Sequence, residues 1–217
     1  MAQQTTKEQW RDPAHVQEFF TERAGDWDAR FPDDGPAYDA AVADLGLRRG
    51  DAVLDAGCGT GRALPALRAA VGPRGVVLGA DLTPAMLDAA VRAGRHHDGQ
   101  LLLADVTTLP LRDGSVDAVF AAGLISHLAD LVAGLRELAR VVRPGGRLAL
   151  FHPVGRAALA ARHGRQVTPD DERAEPNLRP LLARGGWHLD SYTDEDTRFL
   201  VLASRTDRPG PHAAARG

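Results

Sequence analysis

Residues 53–61 read V-L-D-A-G-C-G-T-G, an apolar run that leads directly into three glycines at alternate positions. Such a run predicts a short buried strand, and Gly57, Gly59 and Gly61 leave the backbone free of side chains where a ligand has to approach it. A nicotinamide-binding loop usually has the spacing G-x-G-x-x-G and directs a helix N-terminus at a pyrophosphate. The closer G-x-G-x-G spacing here, preceded by an acid at Asp55, favours a ligand that presents no phosphate to the loop.

Short apolar or β-branched runs alternate with longer helical periodicities along most of the chain, which is typical of a parallel sheet covered by helices. The runs predict strands at residues 52–56, 76–81, 101–105, 116–122, 147–152, 187–193 and 198–204. The acidic link at 194–196 is too short for a crossover between parallel strands, so the last two strands should form an antiparallel hairpin. The predicted fold class is α/β, a Rossmann-like doubly wound seven-stranded sheet, mostly parallel, with an antiparallel C-terminal hairpin.

Two helices of the sheet domain have clear limits in the sequence. After the second strand, Thr83 can cap a helix that has Pro84 in its first turn and Gly94 at its end. Leucines on one face predict a second helix over about 130–142, followed by the turn Pro144-Gly145-Gly146.

The domain organisation follows from where the aromatic residues lie. Residues 1–50 have a helical pattern and should form an N-terminal helical cap, residues 51–205 the sheet domain, and residues 206–217 a flexible tail. The cap holds most of the aromatic side chains of the chain, including Trp10, Phe19, Phe20, Trp27 and Phe31.

Acids end the first three predicted strands. Asp81 closes the second strand about 20 residues after the glycines, the separation expected of an acid that reaches ribose hydroxyls. Asp105 closes the third predicted strand. Because the carboxyl ends of the strands line the ligand crevice of a doubly wound sheet, Asp55, Asp81 and Asp105 should lie at one edge.

This set of motifs resembles class I S-adenosylmethionine-dependent methyltransferases, in particular methyltransferase type 11 and the small-molecule enzymes of the ubiquinone- and menaquinone-biosynthesis type. The likeness rests on D-x-G-x-G-x-G at 55–61, on Asp81, and on Asp105-Val106. It extends to L-P-L at 109–111, D-G-S-V-D at 113–117, where Val116 replaces the usual phenylalanine, and the segment 136–146. It covers about residues 50–152.

The resemblance implies S-adenosylmethionine as cofactor and S-adenosylhomocysteine as product. The glycine loop would pass the methionyl part, Asp81 would accept from the ribose, and Asp105 from the adenine amino group. The implied cofactor-binding residues are Asp55, Gly57, Cys58, Gly59, Gly61, Asp81, Leu82, Met86, Asp105, Val106 and Ala122. Simpler interpretations stay open: Asp55 could anchor loop amides, Met86 could fill the core, and Asp81 or Asp105 could serve only as a loop acid or cap.

The acceptor should be a small molecule, and two histidines are the candidate catalytic residues. His127 follows the fourth strand and His152 ends the fifth, so both should open on the crevice. Each could move a proton or simply satisfy backbone groups. The fourth strand also lacks the N/D-P-P-Y/F pattern of methyltransferases that act on exocyclic amines or glutamine amides.

Two other segments carry alternatives. The stretch holding Trp27, Asp28 and Phe31 would lie near cofactor or acceptor, or would form a packed cap. The arginines of residues 153–180 could recognise an acidic acceptor, but a solvated helix face is the preferred interpretation. These arginines are Arg156, Arg162, Arg165 and Arg173.

Composition excludes several classes of function. The net charge is −3 and 25% of residues are charged, so nucleic acid is not an expected partner. The single Cys58 and the isolated pair His96-His97 give no metal site. No run approaches the roughly 20 apolar residues that span a membrane, and the first ten residues lack an apolar leader, so a cytoplasmic location is expected.

Three competing functions remain beside methyl transfer. A protein of this fold could keep the cofactor and catalyse a non-methylating reaction, could bind the nucleotide without turnover, or could be a nicotinamide oxidoreductase. Consumption of the cofactor separates methyl transfer from the first two.

Overall fold

The computed structural model describes residues 12–206 of the 217-residue chain. Trp10 and the predicted tail from residue 207 onward lie outside this range. The strands of the described part are β1 (Ala52–Ala56), β2 (Val76–Asp81), β3 (Gln100–Leu103), β4 (Val116–Ala122), β5 (Val142–His152), β6 (Trp187–Glu195) and β7 (Arg198–Arg205). Its helices are α1 (Pro13–Arg23), α2 (Trp27–Arg30), α3 (Gly35–Leu45), α4 (Leu64–Val71), α5 (Pro84–Arg92), α6 (Leu131–Val141), α7 (Arg156–Arg162) and α8 (Glu175–Arg184).

The seven strands form one sheet in the order β3-β2-β1-β4-β5-β7-β6. β1 to β5 are parallel to one another, while β7 runs antiparallel between β5 and β6. This arrangement confirms the predicted α/β fold and its C-terminal hairpin. The strand order changes direction between β1 and β4, which is the topological switch point where ligands bind in doubly wound sheets.

Three predicted strand limits are wrong. β6 ends at Glu195 rather than at Thr193, because Asp194 and Glu195 still pair with β7. β3 ends at Leu103 rather than at Asp105, because the Asp105 side chain accepts hydrogen bonds from the amide and hydroxyl of Thr107 and forms a turn. β5 begins at Val142 rather than at Arg147, since Val142 already pairs with Val116. A bulge in this pairing accommodates the predicted glycine turn inside the strand.

The two predicted helices, α5 and α6, form close to their expected limits, but their N-termini are held differently. Asp130 caps α6, since its Oδ1 accepts from the Ala133 amide at 3.0 Å. Thr83 stands at the N-cap of α5, yet its side chain makes no capping hydrogen bond. Instead, the Thr83 amide donates to Asp81 Oδ1 at 2.8 Å. The carboxylate that ends β2 therefore also organises the start of the following helix.

Both faces of the sheet are buried under helices. Val53 and Leu54, adjacent in β1, point to opposite faces, and each is fully buried. One face packs against α6 and α8, where Trp187 donates from Nε1 to the Leu135 carbonyl at 2.9 Å. The other face packs against α3 and α4. Because both faces are covered, the ends of the strands are where a ligand can reach the sheet.

An ionic cluster on α6 fixes the loop between β3 and β4. Glu137 accepts from the Leu109 amide at 2.7 Å, and Arg140 donates to the carbonyls of Leu109 and Leu111. Arg140 also pairs with Glu137 and Asp113. The segment that resembled a family motif thus holds the backbone of the loop that follows Asp105.

Candidate cofactor crevice and active site

The glycine loop uses its three glycines in different ways. Gly57, Gly59 and Gly61 all have positive φ, at 69°, 54° and 79°, which other residues rarely adopt. A Cβ at Gly57 would lie 3.0 Å from Leu124, and one at Gly61 would lie 2.9 Å from Leu64. At Gly59 a Cβ would have no atom within 4 Å. Gly59 is therefore the glycine whose backbone faces open space.

Asp81 joins the end of β2 to the glycine loop. Its Oδ2 accepts from the Gly59 amide at 2.8 Å, while Oδ1 accepts from the Thr83 amide at 2.8 Å. Burial raises the pKa of Asp81, and the two amide hydrogen bonds oppose that rise. Each carboxylate oxygen has further acceptor capacity beyond its one amide. Asp81 is thus held in place and can still accept from a ligand.

Asp55 lies beneath the same loop and is 1% exposed. Burial raises its pKa to about 8, and the negative charge of Asp81 contributes in the same direction. The amides of Gly57 and Cys58 donate to the Ala80 carbonyl, not to Asp55. Within residues 12–206, Oδ1 of Asp55 is buried without a hydrogen-bond partner. At neutral pH Asp55 is therefore mainly protonated.

The remaining predicted cofactor residues lie in the segments that follow β1, β2 and β3, in the first turn of α5 and at the end of β4. Cys58 is buried, with its Sγ 3.0 Å from where a Cβ at Gly79 would stand, and burial raises the pKa of its thiol. Met86 and Val106 are buried, while Leu82, Asp105 and Ala122 are half-buried. The Leu82 carbonyl accepts from Gln17 Nε2 at 3.0 Å, which ties α1 to the end of β2.

The aromatic side chains of the N-terminal helices pack against one another and against His127, at the edge of the crevice. Phe20 of α1 makes edge-to-face contacts with Trp27 of α2, at 5.4 Å between ring centroids, and with His127, at 5.0 Å. Trp27 in turn contacts Phe31 at 5.2 Å. The cap aromatics thus form a packed cluster that reaches the carboxyl end of β4.

A polar cluster missed by the sequence analysis joins this cap to the glycine loop. Thr60 donates from Oγ1 to Asp28 Oδ1 at 2.7 Å, and Arg95 Nη1 lies 2.7 Å from Asp28 Oδ2. Arg95 Nη1 also donates to the Thr60 carbonyl at 2.7 Å. Asp28 lies 32 residues before Thr60 and Arg95 lies 35 after it, so no local pattern could have indicated the contact.

The two candidate catalytic histidines are both half-buried: His127 ends the short 3-10 helix that follows β4, and His152 ends β5. Burial lowers the pKa of His127 to about 4, and the charges of His152 and Arg173 act in the same direction. Burial also lowers the pKa of His152, whose Nδ1 lies 2.8 Å from the Val154 carbonyl. Both imidazoles are therefore neutral at pH 7, the form that can accept a proton.

Comparison with known proteins identifies the domain. Residues 54–150 match a family described as a methyltransferase domain. These residues are a methyltransferase domain by this match, which covers less than half of the chain. S-Adenosylmethionine is the cofactor of this family. A crystal structure of an S-adenosylmethionine-dependent methyltransferase from Aquifex aeolicus is 26% identical, with a TM-score of 0.63, over 78% of this chain and 89% of that one.

Curated relatives of the methyltransferase domain have named activities. A malonyl-[acyl-carrier protein] O-methyltransferase from Serratia marcescens is 38% identical over 67% of this chain and 59% of its own length. A demethylmenaquinone methyltransferase from Corynebacterium urealyticum is 41% identical over 49% of this chain and 43% of its own. The chain thus spans less than two thirds of each of these relatives.

The crevice of the methyltransferase domain fits S-adenosylmethionine by its donor and acceptor groups. The ligand's ribose presents hydroxyl donors, and Asp81 offers anchored acceptors at the end of β2. The open space at Gly59 leaves room for the methionyl chain against the loop backbone. The negative charge of Asp81 suits a ligand that carries a positive sulfonium charge.

The arginines of the variable segment divide into two pairs. Arg162 and Arg165 are exposed. Arg156 and Arg173 do not form the solvated face that was the preferred interpretation, since both bind Asp171 and their side chains are 15% and 24% exposed. Arg156 also pairs with Asp194 of β6. This network fixes the segment onto the C-terminal hairpin.

The described residues hold neither a metal-ligand cluster nor a membrane-spanning helix. Across residues 12–206, no cluster of three His, Cys, Asp or Glu side chains has the geometry of a metal site. No helix within the same range is long and apolar enough to cross a bilayer.

Proposed function

We propose that this protein transfers the methyl group of S-adenosylmethionine to a small-molecule acceptor and releases S-adenosylhomocysteine. The observation that carries the proposal is the hydrogen bond between Asp81 and the Gly59 amide beside open space at the topological switch point. It supplies an anchored acid and an unobstructed loop backbone in one place. A small acceptor is supported by the cap helix α1, which contacts the end of β2 through Gln17 and the imidazole of His127 through Phe20.

In this proposal the cofactor residues have separate tasks. Asp81 accepts from the ribose hydroxyls, and the loop around Gly59 lies along the methionyl chain. Asp105 and Val106 provide the polar and apolar sides of the adenine position. When bound, the cofactor supplies an electrophilic methyl carbon that is attacked in line by the acceptor.

Catalysis then depends mainly on positioning. Alignment of the acceptor can supply roughly 7–11 kcal/mol of the barrier, whereas a general base supplies about 10²–10⁴-fold in rate. The cap aromatics and His127 would exclude water and orient the acceptor. Neutral His127 is the favoured proton acceptor, because it lies in direct contact with the cap at Phe20. His152 is the second candidate for contact with the acceptor.

The names of the relatives support an acceptor other than nucleic acid. One relative is named for O-methylation of malonyl-[acyl-carrier protein] and the other for demethylmenaquinone. These acceptors differ, so we propose the class of reaction without the acceptor atom.

A labelling experiment tests the proposal. Purified protein is incubated with methyl-labelled S-adenosylmethionine and fractionated small-molecule extract, and S-adenosylhomocysteine and labelled product are both quantified. Equal amounts of the two would support methyl transfer. In a second possible outcome, the labelled cofactor binds but is not consumed with any fraction, and an unlabelled product forms. This outcome would instead identify a non-methylating reaction.

A further inference from the structure

The cluster of Asp28, Thr60 and Arg95, here called the loop clamp, includes one residue of the glycine loop, but none of its members is among the predicted cofactor-binding residues. Each member comes from a different part of the chain: Asp28 from α2, Thr60 from the glycine loop, and Arg95 from the turn after α5. All three contacts are 2.7 Å long. The clamp therefore connects the cap, the loop and the segment behind α5 through charge-assisted hydrogen bonds.

The clamp acts on the part of the loop next to the open space. Thr60 stands between Gly59 and Gly61, and both its hydroxyl and its carbonyl are held. The stem of Arg95 also packs on the loop, since a Cβ at Gly61 would lie 3.4 Å from Arg95 Cβ. The conformation of Gly59, whose amide binds Asp81, is thus fixed from the far side by Arg95.

A second contact ties the cap to the other side of the crevice. Gln17 of α1 binds the carbonyl of Leu82, the residue after Asp81. With the clamp, the cap is fixed both at the glycine loop and at the end of β2. Opening of the cap therefore requires the separation of Asp28 from Thr60 and Arg95 as well as of Gln17 from Leu82.

We propose that Arg95 is a positioning residue for the cofactor, acting through Asp28 and Thr60. It holds the Gly59 amide on Asp81 and fixes α2 over the loop, so that nucleoside binding and cap closure are coupled. Arg95 does not touch the cofactor in this proposal. The inference rests on the proposed function, because it concerns the affinity for the same cofactor.

The test is the affinity for S-adenosylhomocysteine, measured by calorimetry on the full chain. Arg95→Ala and Asp28→Asn should each weaken binding by about 5- to 20-fold, between the values expected of an exposed ion pair and a buried charged hydrogen bond. The double variant should lose no more affinity than the single variant that binds more weakly, since both substitutions break the same cluster. Arg95→Lys should recover part of the affinity because the ammonium keeps the charge.

Trp27, next to Asp28, provides a spectroscopic signal of cap closure. In a Trp10→Phe background the remaining tryptophans are Trp27 and the fully buried Trp187. S-Adenosylhomocysteine should change the emission of this background protein, and Arg95→Ala should abolish the change. Arg30→Ala is the matched control, because Arg30 is an exposed cap arginine that pairs with Asp26 of the same segment.

The outcomes separate this inference from the proposed function. Loss of affinity and of the Trp27 signal in Arg95→Ala, with normal Arg30→Ala, would support the clamp. Equal affinity in wild type and Arg95→Ala, or additive losses in the double variant, would overturn the clamp alone. Absence of binding by the wild-type protein would overturn the proposed function and the clamp together.

Discussion

Asp81 Oδ2 accepts a hydrogen bond of 2.8 Å from the amide of Gly59, 22 residues earlier in the chain. This bond joins the end of β2 to the loop that follows β1, across neighbouring strands of the sheet. It brings the acid and the glycine loop of the family motif into direct contact. The consequences of the arrangement can be measured residue by residue.

The first prediction concerns Asp81. Asp81→Ala should weaken S-adenosylhomocysteine binding by roughly 10- to 150-fold, since a hydrogen bond to a charged group contributes about 1.5–3 kcal/mol. Calorimetric titration measures the effect. The matched control is Asp88→Asn, an exposed carboxylate on the helix that follows Asp81, which should bind as wild type does. Full affinity in a folded Asp81→Ala variant would exclude Asp81 from the site.

The second prediction concerns the buried acid Asp55. Its pKa is about 8 in the folded protein and about 3.9 when unfolded, so the folded state binds more protons between these values. This contribution to stability is complete below pH 4 and is lost as the pH rises towards 8. Asp55→Asn removes the ionisation and should not lose this stability. The Tm of Asp55→Asn minus the Tm of wild type should therefore increase as the pH rises from about 4 to about 8.

Thermal unfolding from pH 5 to 9 without cofactor tests the Asp55 prediction. Asp39→Asn, an exposed position on α3, serves as the control and should follow the wild-type curve. A Tm difference between Asp55→Asn and wild type that is constant over the range would show that Asp55 is already ionised in the folded protein.

The third prediction concerns His127. His127→Gln should lower turnover by about 10²-fold while cofactor affinity stays within about twofold. This is the lower end of a general base's contribution, because a pKa of about 4 makes a weak base. The low pKa of about 4 keeps His127 neutral, so it should produce no step in the rate profile between pH 6 and 8. Wild-type turnover in the variant would remove His127 from proton transfer.

The fourth prediction concerns Arg140 on α6. Arg140→Ala removes the guanidinium that donates to the carbonyls of Leu109 and Leu111 and to both carboxylate oxygens of Glu137, and should lower the free energy of unfolding by about 2 kcal/mol. Denaturant unfolding measures it. Arg136→Ala, which removes an exposed arginine of the same helix bound to one carbonyl, should cost less than about 1 kcal/mol. Equal losses would contradict the role of Arg140.

The local parts of the fold could be predicted from sequence, since their causes lie within a few residues. The strand limits of β1, β2 and β4 follow from apolar runs that end in glycine or acid, and the antiparallel hairpin follows from a link too short for a crossover. The limits of β3 and β5 could not be predicted, because side-chain hydrogen bonding by Asp105 and pairing of Val142 with a distant strand decide them.

The polar contacts of the site were less accessible to sequence analysis. The motif acids Asp55 and Asp81 could be found from their spacing after strands, but their different environments depend on burial. Arg95 and Arg156 were missed as structural residues because their partners lie far away in the chain. Such contacts arise from the folded topology and leave no local pattern.

The central claim is that the crevice between Asp81 and the glycine loop binds a sulfur nucleoside, and calorimetric titration of the purified protein tests it most directly. S-Adenosylmethionine and S-adenosylhomocysteine should bind with micromolar Kd, whereas NAD at the same concentrations should give no heat of binding. Binding of NAD in place of the two sulfur nucleosides would contradict the account.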